Sequence, residues 1–157
     1  MRNAFAMPKP STIERARKDK AEGKSASTQA GEFVREEIDA IRHGEHGARS
    51  TKQAIAIGLS KARRAGVKLP TPSKGKVSEA TRKKAKHDTE NAASGVAARP
   101  SRKRSLATLN ALKRESGTAA SPQALARQAR SAARRRTPAE RAASAKKAAR
   151  TRKSRGH

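Results

Sequence analysis

Large apolar residues gather in one stretch of the chain, and their spacing there is helical. Ala30, Phe33, Val34, Ile38 and Ile41 recur at intervals of three and four, the stripe of an amphipathic helix. Glu32, Glu36, Glu37 and Asp39 take the other positions and are expected to form its wet face. Thr28 can cap this helix, which should run to about residue 43 and stop at Gly44. After a loop, Glu45-His-Gly-Ala-Arg49, Ser50 caps a second helix with Gln53 at the capping-box position, and Gly66 and Pro70 end it. Ala54, Ile55, Gly58, Leu59 and Ala62 share its apolar face, where Gly58 would admit another backbone at close range. Val67 and Leu69 are placed to fold back over the end. The pattern predicts a helical hairpin over residues 28–70.

Elsewhere the apolar signal is thin. Ser11-Thr-Ile-Glu14 is a capping-box pattern that Gly23 can close, but Ile13 is its only large apolar residue. A frayed, solvated helix within a basic N-terminal arm (residues 1–27) is expected, followed by a linker at residues 25–28. Residues 71–100 read as a basic linker, with helix propensity but no apolar face over residues 78–91. In residues 101–157, Leu106, Leu109 and Leu112 line one side of a first helical segment. Ser121-Pro122 and Thr137-Pro-Ala-Glu140 are strong helix starts, each a cap followed by proline at the first helical position. The expected fold class is mostly α: a small helical hairpin with long, largely disordered basic extensions that are helix-prone, and no β-sheet.

Composition sharpens this picture. Phe, Ile, Leu and Val total 17 of 157 residues, whereas alanine alone supplies 33. That is below the ~20 % of large apolar residues at which high net charge predicts disorder. Nine of the 17 lie in residues 28–69, so one well-packed domain spanning the chain is not expected. A hairpin this small should be marginal, or should dimerise through its Ile55–Leu59 face.

The charge is also uneven. The chain carries 39 Lys and Arg against 13 Asp and Glu, a net of +26. Residues 1–70 hold 15 cations and 8 anions, whereas residues 91–157 hold 18 and 2, the two being Glu115 and Glu140. A polycation of that density repels itself and should stay extended until an anion neutralises it.

Several function classes fall away. No apolar run approaches the ~18 residues of a membrane span, and the first ten residues lack the apolar core of a secretory signal. Met7, ahead of Pro-Lys-Pro, offers a second translation start. Without cysteine there are no disulfides and no thiolate chemistry. Gly23-Lys24-Ser25 mimics the end of a P-loop, but Lys18 stands where the motif needs glycine. His43 and His46 flank Glu45, yet no third ligand is near, and a helix C-terminus accounts for a histidine at 43. Glu36 and Glu37 would need a pocket to act as an acid–base pair. No enzyme, metal or cofactor is expected, and no small-molecule substrate. A helix-turn-helix would place Ser50, Thr51, Lys52 and Gln53 at base edges, but the loop from Gly44 is longer than the usual turn.

The basic C-terminal region carries the positive case. Lys and Arg near nucleic acid release condensed counterions, which gives affinity without reading bases. The candidate residues are Arg102, Lys103, Arg104, Lys113, Arg114, Arg127, Arg130, Arg134, Arg135, Arg136, Arg141, Lys146, Lys147, Arg150, Arg152, Lys153 and Arg155. Lys52, Lys61, Arg63, Arg64 and Lys68 form a candidate secondary basic patch. With no Trp or Tyr and only Phe5 and Phe33, base stacking contributes little. The expected partner is DNA, bound without sequence preference. An RNA- or ribosome-associated protein, a protein-interaction hairpin tethered to nucleic acid, and a helix-turn-helix DNA reader are the alternatives. Membrane binding is not expected, because the C-terminal helices lack a Trp/Phe/Leu face.

Two resemblances accompany this reading. The Ala/Lys/Arg/Ser/Thr/Pro-rich residues 101–157, notably Ser-Ala-Lys-Lys-Ala-Ala-Arg at 144–150, resemble the tails of linker histones and of bacterial histone-like proteins. Residues 8–70 resemble an uncharacterised family of small basic bacterial proteins. The stretches that carry this are Thr-Ile-Glu-Arg-Ala-Arg at 12–17, Gly-Glu-Phe-Val-Arg-Glu-Glu-Ile at 31–38, and the run from Ser50 to Gly66. The second resemblance implies a bacterial cytoplasmic protein, located on the nucleoid if DNA is its partner.

Overall fold

A computed structural model describes residues 7–95 and 101–154. The described residues are mostly helical and contain no strand; Lys74 and Val77 form an isolated bridge around the turn at Gly75. The chain divides into two units, one ending at Ser121 and the other beginning at Pro122.

The first unit is built on helices α1 (Pro10–Ala21), α2 (Ala26–Arg42) and α3 (Thr51–Arg64). The α2–α3 hairpin forms as its pattern predicts. The Ser50 hydroxyl accepts the Gln53 amide N–H at 3.2 Å, satisfying an orphan donor of the first turn. Gly44 and Gly66 take positive φ where the helices stop. The start of α2 differs from expectation. Ser25 is its cap, accepting from the Thr28 N–H at 3.3 Å, so the expected linker at residues 25–28 is already cap and first turn.

Gly58 marks the helix crossing. A β-carbon there would lie 2.6 Å from the Val34 Cα, so only glycine lets the two helices meet at this point. Phe33 and Ile41 of α2 are fully buried. Val67 folds back over the end of α3 and is buried, and Leu69 packs against the same cluster.

Three expectations about this unit are corrected. First, α1 is not a wholly solvated helix, because one of its faces is packed. Pro10 stands at its first turn and Lys9 at its cap, two residues ahead of the expected box. It buries Thr12, Ala16 and Asp19, a stripe of small residues at helical spacing, while Ile13 packs against the Ala30–Phe33–Ala62–Val67 core.

Second, the segment expected to be an apolar-free linker contains α4 (Glu79–Ala93), capped by Ser78 and packed on α3. Ala85 is buried, and the Ser60 hydroxyl donates to Asp88 at 2.6 Å. A small face with one part-buried hydrogen bond does what a large apolar stripe would do.

Third, the chain after α5 (Arg102–Lys113) returns to the hairpin. The Gly47 N–H donates to the Leu112 carbonyl at 2.8 Å and the Ala48 N–H to that of Ser116 at 3.1 Å. In the short 3₁₀ turn Gly117–Ala120, Ala119 accepts from the Thr51 hydroxyl at 2.6 Å and Ala120 from Arg42 Nε at 3.0 Å. Gly47 is required here, because a β-carbon would collide with the Glu115 carbonyl. Leu112 is buried, whereas Leu106 stands exposed.

The packed region thus outgrows the hairpin, because alanine does the packing. Ten of the fifteen buried apolar residues described are alanines. Small side chains let helix axes approach closely, so a core can form where large residues are scarce.

The second unit comprises α6 (Pro122–Arg134) and α7 (Pro138–Ser154), both starting at the expected Ser-Pro and Thr-Pro signals. Thr137 and Glu140 form a reciprocal capping box. The Thr137 N–H donates to Glu140 Oε2 at 2.8 Å, and the Glu140 N–H to the Thr137 hydroxyl at 3.2 Å. The extended state expected from self-repulsion is not what the described residues show.

Candidate nucleic-acid interface

Sixteen of the seventeen predicted phosphate-contacting residues lie within the described segments, and all sixteen are exposed. Arg155 lies outside the described residues. In the first unit, Arg102, Lys103 and Arg104 open α5, while Lys113 and Arg114 end it. In the second, Arg127, Arg130 and Arg134 stand on α6, Arg135 and Arg136 in the connection, and the remaining six cations on α7.

Their arrangement differs between the two helices. On α6 the spacing of three and four puts Arg127, Arg130 and Arg134 within one arc, opposite Leu125, Ala129 and Ala132. On α7 the same construction places Arg141, Lys146, Lys147, Arg150, Arg152 and Lys153 all round the helix, and no residue of α7 is buried.

Residues 101–154 hold two acids, Glu115 and Glu140. Glu115 lies 3.7 Å from Arg49, and Glu140 closes its capping box. On α4, by contrast, Lys84 and Lys86 sit 3.7 and 3.6 Å from Asp88 and Glu90, so that basic stretch is locally neutralised.

The secondary patch is corrected. Lys52, Arg64 and Lys68 are exposed, but Lys61 and Arg63 are not. The Lys61 ammonium lies 2.8 Å from Glu37 and 3.6 Å from Glu36, with its side chain 3 % exposed. Burial lowers the proton affinity of the Arg63 guanidinium, an effect that the charge of Asp88 opposes, and Arg63 donates to the Pro70 carbonyl at 3.4 Å. Both point inward because α3 is covered on two sides, by α2 and by α4.

Glu36 and Glu37 are likewise not the wet face of α2. Glu37 is fully buried between Lys61 and His46, whose Nε2 lies 3.3 Å away, while Glu36 accepts the Lys9 N–H at 3.0 Å. His46 therefore serves the hairpin interior. His43 caps the end of α2 with Nδ1 2.7 Å from the Asp39 carbonyl. Spacing alone could not reveal this group, because its members come from two helices and a loop.

At the N-terminus of α3, where a helix-turn-helix would read bases, the 3₁₀ turn engages Thr51, while Ser50 and Lys52 stay exposed. Thr51 is buried against Ala119, and Gln53 accepts the Arg49 N–H at 2.7 Å. Among the described residues no group of three or more His, Asp or Glu could hold a metal ion, and no helix is long and apolar enough to cross a membrane.

Comparison with known proteins bears on the first unit. No curated protein and no solved structure matches the chain. Residues 15–74, running from within α1 to just past α3 and holding the whole Glu36–Glu37–His46–Lys61 group, are similar to a family of unknown function (DUF6496).

Proposed function

We propose that this chain is a non-enzymatic protein that binds nucleic acid through its phosphates, without reading base sequence, and that duplex DNA is its partner. The observation that carries this is the exposure of all sixteen Lys and Arg side chains described between residues 101 and 154, a stretch with only two acids. Such a surface gains affinity by displacing counterions from a phosphate polymer. Phe33 is sealed in the core and the sequence has no Trp or Tyr, so the described residues offer no aromatic platform for single-stranded bases.

Helix and ligand support each other in this reading. Isolated helices of ~12–15 residues are marginal in water even when alanine-rich. Helix α7 has 17 residues and buries none, so its helical state gains from any anion that relieves its repulsion. Phosphate neutralisation favours the helix over the extended chain. Under this reading the protein acts on the nucleoid of a bacterial cytoplasm. The α2–α3 unit, with Ile55 and Ile57 half-buried on α3, serves as scaffold and offers a face for a second copy or another protein.

The test is a salt titration of binding to duplex DNA of mixed sequence. Neutralising 6–10 phosphates should lower affinity by about 10³–10⁵ between 50 and 200 mM salt. A flat response would overturn the proposal. Structured RNA at equal phosphate concentration separates the RNA reading, and one duplex sequence bound far above the rest would restore the helix-turn-helix. A truncation aimed at the basic region should end at Ser121, because residues 112–120 are part of the packed first unit.

A further inference from the structure

The arginines of α6 have a shape as well as a charge. Arg127, Arg130, Ser131, Arg134 and Arg135 line a concavity of about 330 Å³ along one face of the helix. The sequence from Pro122 to Arg134 contains no Asp or Glu, so no acid on α6 itself occupies that face. Arg127 with Arg130, and Arg130 with Arg134, are like charges at the two spacings where helix side chains meet, an arrangement that works against the helix unless an anion sits among them.

We infer that α6 carries a phosphate-binding trough whose ligand is a run of linked phosphates, either a phosphodiester backbone or a free polyphosphate. This rests on the reading that the C-terminal region pairs with phosphate, and adds that one helix face binds it directionally. Arg127 and Arg134 are seven residues apart, roughly 10 Å along the axis, so the stripe outreaches one tetrahedral oxyanion and suits neighbouring phosphates. Each guanidinium offers a planar fork of N–H donors that matches two phosphate oxygens, and the Ser131 hydroxyl adds one more donor. Helix α7 lacks such a face, because its cations surround it and half of them are lysines, which act as point charges.

Charge-preserving variants of the full chain test this. Arg127→Lys, Arg130→Lys and Arg134→Lys together keep the net charge and nearly the same helix propensity, but remove the forks. Arg141→Lys, Arg150→Lys and Arg152→Lys do the same on α7. With inorganic triphosphate as probe, the α6 set should lose about tenfold or more in affinity, as expected for lost charge-assisted hydrogen bonds. The α7 set should change by less than about twofold, because each lysine keeps the point charge that a non-directional, exposed contact uses. Circular dichroism of both sets confirms that the helices are retained.

Equal losses in the two sets, or no triphosphate binding by the unaltered chain, would overturn the trough. In the second case, persisting DNA affinity would leave the general function standing, so the two failures are separable. Duplex DNA identifies the source of the phosphates. If the α6 set also weakens DNA binding at an unchanged salt slope, the ligand is the nucleic-acid backbone. If only triphosphate binding falls, the ligand is free polyphosphate.

Discussion

Lys61 and Lys146 carry the same ammonium group on helices of similar length, yet they have opposite fates. The side chain of Lys61 is 3 % exposed and lies between two carboxylates, whereas Lys146 stands in solvent on a helix that buries nothing. The difference runs through the two regions. In the first unit, charge is matched inside the fold by Glu36, Glu37, Lys61 and His46, with salt links such as Arg15–Glu32 and Lys24–Asp19 around it. In the second, cations outnumber acids and face outward. Charge is thus a packing element in one region and an exposed cationic surface in the other, the surface proposed above to meet phosphate. What separates them is the supply of carboxylates: twelve up to Ser121, and one, Glu140, from Pro122 onward.

The largest test of this contrast exchanges the six cations of α7, Arg141, Lys146, Lys147, Arg150, Arg152 and Lys153, for glutamine in the full chain. If they are a binding surface, the slope of log affinity against log salt should fall by up to about 5, since each lost phosphate contact contributes ~0.9. The thermal midpoint of the first unit should not move. A dropped midpoint with an unchanged slope would reverse the assignment of the two regions.

Within the first unit, Lys61→Met leaves two buried carboxylates without their ammonium. Loss of one partner of a buried pair typically destabilises by ~3–5 kcal/mol. Lys146→Met should stay within about 0.5 kcal/mol, as for exposed substitutions generally. Denaturant unfolding of both variants gives the comparison, and equal effects would mean that the buried group does not hold the hairpin.

A smaller effect is expected at the helix crossing. Gly58→Ala gains up to ~1 kcal/mol in helix propensity but forces a methyl against the Val34 backbone, and overpacking of that kind costs ~1–3 kcal/mol. The variant should melt lower than the parent. A higher melting point would show that α2 and α3 do not meet there.

The smallest effect is a pH dependence after α1. The Lys24 ammonium, 2.7 Å from Glu22 and 2.6 Å from Asp19, holds the Glu22 carboxyl below its ordinary range by hydrogen bond and charge. A carboxyl whose folded pKa is depressed stabilises the fold above its unfolded pKa, and that contribution is lost as pH falls through the folded value. Acid melts of Lys24→Met against the parent should therefore differ near neutral pH and converge below the carboxylate range. The gap should be slight, because the pair is partly exposed.

Most helix starts and stops of this protein are legible in its sequence because capping is local, although α1 and α2 begin two and three residues ahead of the caps that the sequence suggests. Ser50 with Gln53, Thr137 with Glu140, and Gly44 and Gly66 at helix ends all act within four residues of chain. So is the apolar stripe of α2, and so is the cation excess from which the nucleic-acid reading starts. The fate of individual charges was decided only by tertiary structure. Glu36 and Glu37 look like solvent-facing residues until Lys61 and His46 arrive from elsewhere in the chain, and α1 and α4 look unpackable until alanine is counted as a packing residue. Residues 112–120 carry no mark of their docking, since backbone groups make most of the hydrogen bonds that hold them. Periodicity reports what one helix does with its own faces. Which partner covers a face, and whether a buried ion finds its counter-ion there, depends on residues far apart in sequence, and no local pattern encodes that distance.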